Sequence, residues 1–368
     1  IHGSEDFGRA TKGAAIAYKA RALLYAASPL FEGVATWNQV ADACEELFNL
    51  GIYSLSSDYE GMFLNPTDPE ILFFKQFITI QGPTVEFDLG YYTPSGGHNI
   101  EEWRLPNGNA GWSGENPIMN LVDEFETLDG EIPVLGYTGQ NDDLTPIINA
   151  NAIGYDLDRP YENRDPRLTY SIVYDGATIN GREVQFWECG TDSRCDEVAF
   201  NWNGAELDHT IRKGLDPTWE PVPGISSPTP FVYMRLAEVY LTYAEAQYHL
   251  GNSGVAIDYV NRVRSRVGMP GIENSQSGSD LLTKIKHERK VELAFEGNRW
   301  YDARRWMDAE IDFADDAVGL EVMRDESSGR KSYRYFVQQE RSFPPSHYLF
   351  PIPFEELSKT NWQQNLGY

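Results

Sequence analysis

The 368 residues carry 30 lysines and arginines against 56 aspartates and glutamates, a formal net charge of −26, with 41% hydrophobic and 13% aromatic positions. So acidic a chain repels a nucleic-acid backbone and an anionic membrane surface. Its length and apolar content suffice for a large core, which excludes wholesale disorder and a small disulfide-stapled fold. Three cysteines, Cys44, Cys189 and Cys195, form no metal-ligand spacing and no redox pair. Cys189 and Cys195 bracket a polar loop that suits either a disulfide or two free thiols, and Cys44 is expected in the core. No run approaches the roughly 18 apolar residues that would span a bilayer, and no signal peptide opens the chain. The start at Ile1 without methionine reads as a processed or truncated one.

Taken in order, residues 11–50 predict a helical hairpin. Seven alanines between Ala14 and Ala27 give high helix propensity and small surfaces for close packing; Thr11 caps the segment and Ser28-Pro29 stops it. From Trp37 to Leu50 the apolar positions Val40, Ala43, Cys44, Leu47 and Leu50 fall at helical spacing and Gly51 ends the run. Residues 59–230 break into short apolar runs such as Ile71-Leu-Phe-Phe74 and Ile172-Val-Tyr174 among Gly, Pro, Asn and Asp, with one clear helix at 118–127. Long irregular stretches of this kind carry function more often than filler, which makes this the loop-rich binding region.

Helices return over 231–310. Tyr233, Leu236, Ala237, Tyr240, Leu241, Ala244 and Tyr248 make one apolar stripe, Gly251-Asn252 turns the chain, and Ala256, Ile257, Val260, Val263 and Val267 make a second. The pair is similar to a tetratricopeptide hairpin, which cannot bury its own face and needs neighbours, for which the 11–50 hairpin is a candidate. A third helix continues an apolar stripe with carboxylates: Leu281, Ile285, Glu288, Glu292 and Glu296 share a face, joined by Arg299 if the helix runs on. A row of acids suits glycoside hydrolysis or a hard cation. With Arg235, Arg262, Arg264, Arg266, Arg289, Arg299, Arg304 and Arg305 at hand, paired structural charges are the expectation instead. Trp300 and Trp306 are expected in the core. Residues 311–368 are read as a C-terminal tail.

Asp142, Asp143, Asp156, Asp158, Asn163 and Asp165 are dense in oxygen ligands but match no EF-hand loop, so turn and cap duty is expected and no metal is assigned. The six histidines are scattered, and no nucleophile stands with a base; no catalytic residue and no cofactor are assigned.

Three stretches, 231–246, 256–266 and Glu288-Arg-Lys-Val-Glu-Leu-Ala-Phe-Glu-Gly-Asn-Arg-Trp-Tyr-Asp302, resemble the C-terminal signature of the SusD/RagB family. Residues 13–31 are similar to its Ala-rich helix ending in Ala-Ser-Pro. Residues 117–130 are similar to its Pro-Thr-x-x-Leu-Val-Asp motif, with Ile118 in the Thr place, and Arg164-Asp-Pro-Arg-Leu168 and Pro351-Ile-Pro through Tyr368 also fit. The resemblance implies a mainly α, SusD-like fold: one domain over 1–368, with tetratricopeptide-like hairpins and an irregular short-strand binding half, lacking its N-terminal part. It also implies a non-catalytic surface lipoprotein of the outer membrane of Bacteroidetes-type bacteria, its anchor outside this sequence. Such a protein captures an oligosaccharide, or in some members a peptide, for a SusC-like TonB-dependent transporter. A glycoside hydrolase and a tetratricopeptide scaffold are the alternatives.

Aromatic faces stack on the C–H face of a pyranose while amides, carboxylates and guanidinium groups take its hydroxyls. Residues 79–116 offer both, and their place ahead of the Leu-Val-Asp motif resembles that of part of the family's glycan platform. The candidate ligand residues are Trp103, Trp112, Tyr91, Tyr92, Glu101, Arg104 and Asn107, with His98 a further polar contact. Trp187, Trp202 and Trp219 form a second, less favoured set.

Overall fold

The structure, a computed structural model, describes residues 8–31, 33–77, 85–87, 90–92, 104–106, 108, 111–193, 205–219, 227–273 and 278–368, with backbone alone for 85–87 and 90–92. Helices α1 (Lys12–Ala27) and α2 (Trp37–Phe48) form the expected hairpin. The Thr11 hydroxyl accepts from the Ala14 N–H at 3.0 Å, and Thr36 with Gln39 closes a capping box on α2, so orphan N–H groups at both starts are satisfied. Strand β1 (Ile71–Lys75) follows, then the short pair β2 (Val85–Phe87) and β3 (Gly90–Tyr92), and α3 (Met119–Val122). The helix expected over 118–127 is a single turn. Beyond it the chain must turn back, the Thr127 N–H bonding the Glu131 carbonyl at 2.8 Å.

Strands β4 (Val134–Gln140) and β5 (Asp143–Ile148) make a hairpin, followed by α4 (Pro166–Ser171), which Asp165 caps through the Arg167 N–H with Pro166 in the first turn. The antiparallel pairs β6 (Ile172–Tyr174) with β9 (His209–Ile211), and β7 (Thr178–Ile179) with β8 (Arg182–Glu183), complete the irregular half. Cys189 is disulfide-bonded and Cys44 is a buried free thiol, while Cys195 lies outside the described residues.

Residues 231–235, read as helix, are instead strand β10 (Phe231–Arg235), paired antiparallel with β1. The run Phe-Val-Tyr-Met is β-branched and aromatic, and pairing with β1 outweighs its helical spacing. Helix α5 (Leu236–His249) then turns through Gly251, at φ +81°, into α6 (Ser253–Arg266). As expected, the two hairpins bury one another: Ile16, Leu24, Val40 and Leu47 pack in one cluster with Val239, Tyr243 and Ala246. The other face of α5 meets α6 and helix α7 (Gly278–Glu292) through Leu241, Ala244, Val260, Leu281 and Ile285.

The carboxylate helix does not run on to Arg299. It ends at Glu292, Phe295 takes a left-handed φ of +64°, and Arg299 opens a separate helix, α8 (Arg299–Trp306). Of the two tryptophans expected in the core, Trp306 is buried, but Trp300 is 38% exposed, packing on Phe313 and Phe343 at the edge of the fold. After α9 (Ala309–Asp312), the region read as a tail holds β11 (Ala317–Arg324) and β12 (Lys331–Gln339), which join the β4–β5 hairpin in one sheet of order β11-β12-β5-β4. Helix α10 (Phe354–Lys359) lies near the end of the chain.

The row of glutamates is structural. Arg167 reaches Asp165 at 2.7 Å, Glu288 at 2.5 Å and Glu292 at 2.9 Å. Arg235 reaches Glu70 at 2.8 Å, Glu292 at 2.5 Å and Glu296 at 2.7 Å. Arg264 joins Glu288 and Glu126, Arg266 joins Glu70 and Glu292, and Lys213 joins Glu296. A second cluster ties α8 to α5, with Arg305 on Glu245 at 2.6 Å and on Asp302 at 2.8 Å. Of the arginines expected in these pairs, Arg262 instead holds Asp258 at the surface, Arg299 holds Asp312, and Arg304 donates to the Tyr348 carbonyl.

Removing one partner of a buried pair leaves the others charged and unmatched. Glu292→Gln, which strips counter-charge from Arg167, Arg235 and Arg266, is therefore expected to cost about 3–5 kcal/mol, read as a lowered urea midpoint. Burial alone would raise the Glu245 carboxyl, but the Arg305 guanidinium overrides it and holds it at about 2 against an ordinary 4.5. The unfolded chain thus binds the extra proton first, and stability falls as pH drops from about 4.5 toward 2. In urea titrations across that window Glu245→Gln should show a shallower pH slope than the parent.

Candidate functional site

Two regions have the chemistry of a binding site. The first is the segment expected from sequence. Trp103, Glu101, Asn107 and His98 lie outside the described residues, and Tyr91 and Tyr92 are on β3, opposite Glu86 and Val85. Arg104 is committed: its Nε bonds Glu115 at 2.5 Å and its Nη1 the Lys213 carbonyl at 3.0 Å, leaving the side chain 11% exposed. Through these bonds it ties the 111–116 turn to Lys213, and Trp112 in that turn is half-buried. That turn is tight, with the Ser113 N–H on the Leu105 carbonyl at 3.2 Å. A Cβ at Gly111 would lie 1.9 Å from the same oxygen, so no larger residue fits. Asn116 closes the turn on the Ser113 and His209 carbonyls. Of the second aromatic set, Trp202 is outside the described residues, Trp219 is half-buried, and Trp187 lies under two cations, Arg324 at 4.8 Å and Lys331 at 4.7 Å from its ring centre.

The second region is a cleft of about 1010 Å³ that sequence reasoning did not assemble. Its sides are the Leu-Val-Asp turn at 118–124, the β4–β5 hairpin, the break after α7 at 290–295, and residues 311–318 with 337–341. These walls share one core, in which Met119, Val122 and Phe125 pack on Leu168, Val291, Val318 and Leu320. Asn120 fastens the motif turn to β11, donating to the Asp316 carbonyl at 3.1 Å and accepting from the Val318 N–H at 2.8 Å. The hairpin was legible in part, since Asn141-Asp142 between two apolar-bearing runs is a turn signal, and Asn141 takes φ +53° there. Which other segments would face it was not.

The cleft is amphipathic and acidic, lined by six carboxylates against three cations. Lys290 is held by Glu124 at 2.5 Å, Arg299 by Asp312 at 2.6 Å, and Arg341 donates to the Asp315 carbonyl. Asp123, the motif aspartate, is 6% exposed. Its Oδ2 accepts from the Tyr137 hydroxyl, while Oδ1 has no hydrogen-bond partner. Burial pushes its carboxyl up to about 7, against the downward pull of the Tyr137 hydrogen bond and the Arg164 charge. The Arg164 hydrogen-bonding groups are spent on the carbonyls of Val122, Phe125 and Pro160.

Elsewhere the dense Asp region serves turns and caps: Asp156 accepts from the Asp158 N–H and pairs with Arg159, and Asp165 caps α4. Among the described residues no group of three or more His, Cys, Asp or Glu is placed to hold a metal ion, and no helix is long and apolar enough to cross a membrane.

Residues 69–368 match the model of the SusD family. The chain belongs to the SusD family. A SusD-like protein of Formosa agariphila, P25, is 24% identical over 97% of the chain, which spans 58% of that relative's length. Among solved structures, a SusD-like protein of Bacteroides fragilis superposes with a TM-score of 0.73 at 26% identity, over the whole chain and 67% of its own. A SusD-like carbohydrate-binding protein of the same species superposes at 0.72 with 22% identity, over 97% of this chain and 65% of its own. The mainly helical, loop-rich SusD-like architecture is thereby established, and the motif turn of this SusD-family chain is one wall of the cleft.

Because native Asp123 holds its proton up to about pH 7, whereas an ordinary aspartate loses it near 3.8, the native state gives up stability as pH rises between those values. Asp123→Asn keeps the acceptor for Tyr137 and removes that loss. Thermal melts should place it above the parent at pH 8 and closer to it at pH 4, and an equal offset at both would remove the assignment.

Proposed function

We propose that the chain binds oligosaccharide without breaking it and delivers it to a SusC-like TonB-dependent transporter at the outer membrane, as part of a surface lipoprotein. The observation that carries this reading is membership of the SusD family, and the carbohydrate-binding description of a Bacteroides fragilis neighbour points the same way. The ligand platform is placed on the aromatic segment, with Trp103 and Trp112 as stacking faces, Tyr91 and Tyr92 beside them, and Glu101 and Asn107 supplying hydrogen bonds. Arg104, tied to Glu115 and the Lys213 carbonyl, belongs to the same platform.

A hydrolase reading is disfavoured by the commitment of Glu288, Glu292 and Glu296 to arginines and Lys213. Paired catalytic acids need one partner free to carry a proton to the leaving oxygen. Calorimetry against a broad oligosaccharide panel should find a binder, with Trp103→Ala and Trp112→Ala each weakening it by about tenfold or more, roughly 1.4 kcal/mol. Reducing ends should not accumulate during incubation. Binding that both tryptophan variants retain at full strength moves the platform elsewhere, and displacement of sugar by peptides would favour a peptide cargo.

A further inference from the structure

Among the described residues seven arginines are buried, and one of them lacks a counter-charge. Arg167, Arg235, Arg264, Arg289 and Arg305 each meet a carboxylate, and Arg164 is spent on three carbonyls. Arg304, on α8, is 5% exposed and forms no salt bridge among the described residues. Its guanidinium lies against two rings, 4.4 Å from the centre of Phe350 and 5.4 Å from that of Trp300. Nη2 donates to the Tyr348 carbonyl and Nε is sealed without an acceptor, whereas Nη1 has no bond among the described residues and keeps contact with solvent. A cation withdrawn from water without a counter-charge is destabilising, and aromatic faces return only part of that loss. Nη1 is the atom at which an incoming carboxylate can be held.

The chain around this cation is also rich in uncovered apolar groups. Phe350 is 60% exposed, and the segment after it adds Phe354 at 83% and Trp362 at 64%. Helix α10 has no buried residue, although six residues are too few to make a stable helix in water on their own. The end of the chain folds back to hold it in place, Gln364 bonding the Ile352 N–H and carbonyl and Asn365 the Phe350 carbonyl. Phe354 is four residues from Phe350, at most about 14 Å of chain, so α10 stands beside Arg304. In its first turn Glu356 pairs with Lys359, while Glu355 is exposed and has no salt bridge among the described residues.

We propose that this surface joins two copies of the chain across a twofold axis, α10 of each copy laying Phe354 on the Phe350 ring of the other and bringing Glu355 to its Arg304. A surface that holds an unmatched cation beside an unmatched acid is self-complementary, which is what a twofold interface requires, because each contact is then made twice. An arginine set among aromatic rings is also the composition of an interface hot spot. The net charge of −26 on each copy opposes approach at long range, so the pairing rests on this short-range match. The surface belongs to α8 and the C-terminal segment, neither of which contributes to the aromatic platform, and it does not depend on where a sugar binds.

The test is sedimentation velocity on the purified chain from about 1 to about 100 μM, where twice the chain mass is expected to dominate at the upper end. Glu355→Lys, which sets two cations against each other, and Phe354→Ala should each raise the dissociation constant by about tenfold or more. Neither side chain is buried, and melts should show both variants folded. Asp42→Lys makes the same change of charge at an exposed position of α2 and should not weaken the pairing. Glu355→Gln should weaken it by about fivefold in the parent and have no further effect in Arg304→Met, as a direct contact between the two requires. A monomer at every concentration, pairing undisturbed by both Glu355→Lys and Phe354→Ala, or an equal loss in Asp42→Lys would each overturn the proposal.

Discussion

The structure depends on a buried lattice of arginines and carboxylates centred on α7. Glu288 and Glu292 leave that helix into the interior and meet Arg167 from α4, Arg235 from the β10–α5 junction, and Arg264 and Arg266 from α6. Each guanidinium fork bonds two or three acceptors in a fixed geometry and tolerates little displacement, which sets the mutual orientation of these elements more narrowly than apolar contact does. Lattices of this kind contribute little net stability when whole and cost heavily when one member is removed.

From that lattice the rest of the molecule takes its position. Glu70 and Glu292 both meet Arg235, which anchors the β1–β10 pair against α7 and so joins the helical hairpins to the irregular half. Arg264 reaches Glu126, just past the motif turn, and brings that turn onto the same helix. Once α7 ends and Phe295 swings the backbone into the left-handed region, the space between the motif turn and the β4–β5 hairpin is left as the cleft. Lys213 belongs to both regions: its side chain joins Glu296 and the Ala294 carbonyl, and its own carbonyl holds Arg104 below Trp112. Burial pushes its ammonium down to about 8, yet the surrounding carboxylates and carbonyls keep it in place.

The helical half was legible because its signals are local. Caps, alanine content and 3.6-residue periodicity located α1, α2, α5, α6 and α7 from the chain alone, and the excess of arginine near an acidic stripe announced the lattice. The Arg164-Asp-Pro-Arg-Leu motif shows no role for Arg167, since nothing local says that a residue 121 positions from Glu288 will bond it. Phe231–Arg235 reads as helix in sequence and is a strand because an aromatic run fits both periods, and only pairing with β1 decides between them. The β11–β12 hairpin, in the region expected as a tail, does leave a local mark: Val318, Leu320 and Val322 alternate ahead of a polar turn and Tyr333, Tyr335 and Val337 alternate after it. Arg104 offers a guanidinium by residue type, whereas its bonds to Glu115 and to the Lys213 carbonyl depend on segments that only the fold brings together.

By itself the sequence determined the family, the helical pairs and the structural use of the acidic helix, because each is written in residue types at short, regular spacing. Tertiary structure alone decided which arginine meets which glutamate, that Trp300 turns outward, and that an aspartate of the family motif stands with an unpartnered oxygen at the wall of an acidic cleft. Those outcomes depend on burial and on charges brought together from segments far apart in the chain, and neither desolvation nor a distant counter-charge leaves a mark on the local pattern of residues.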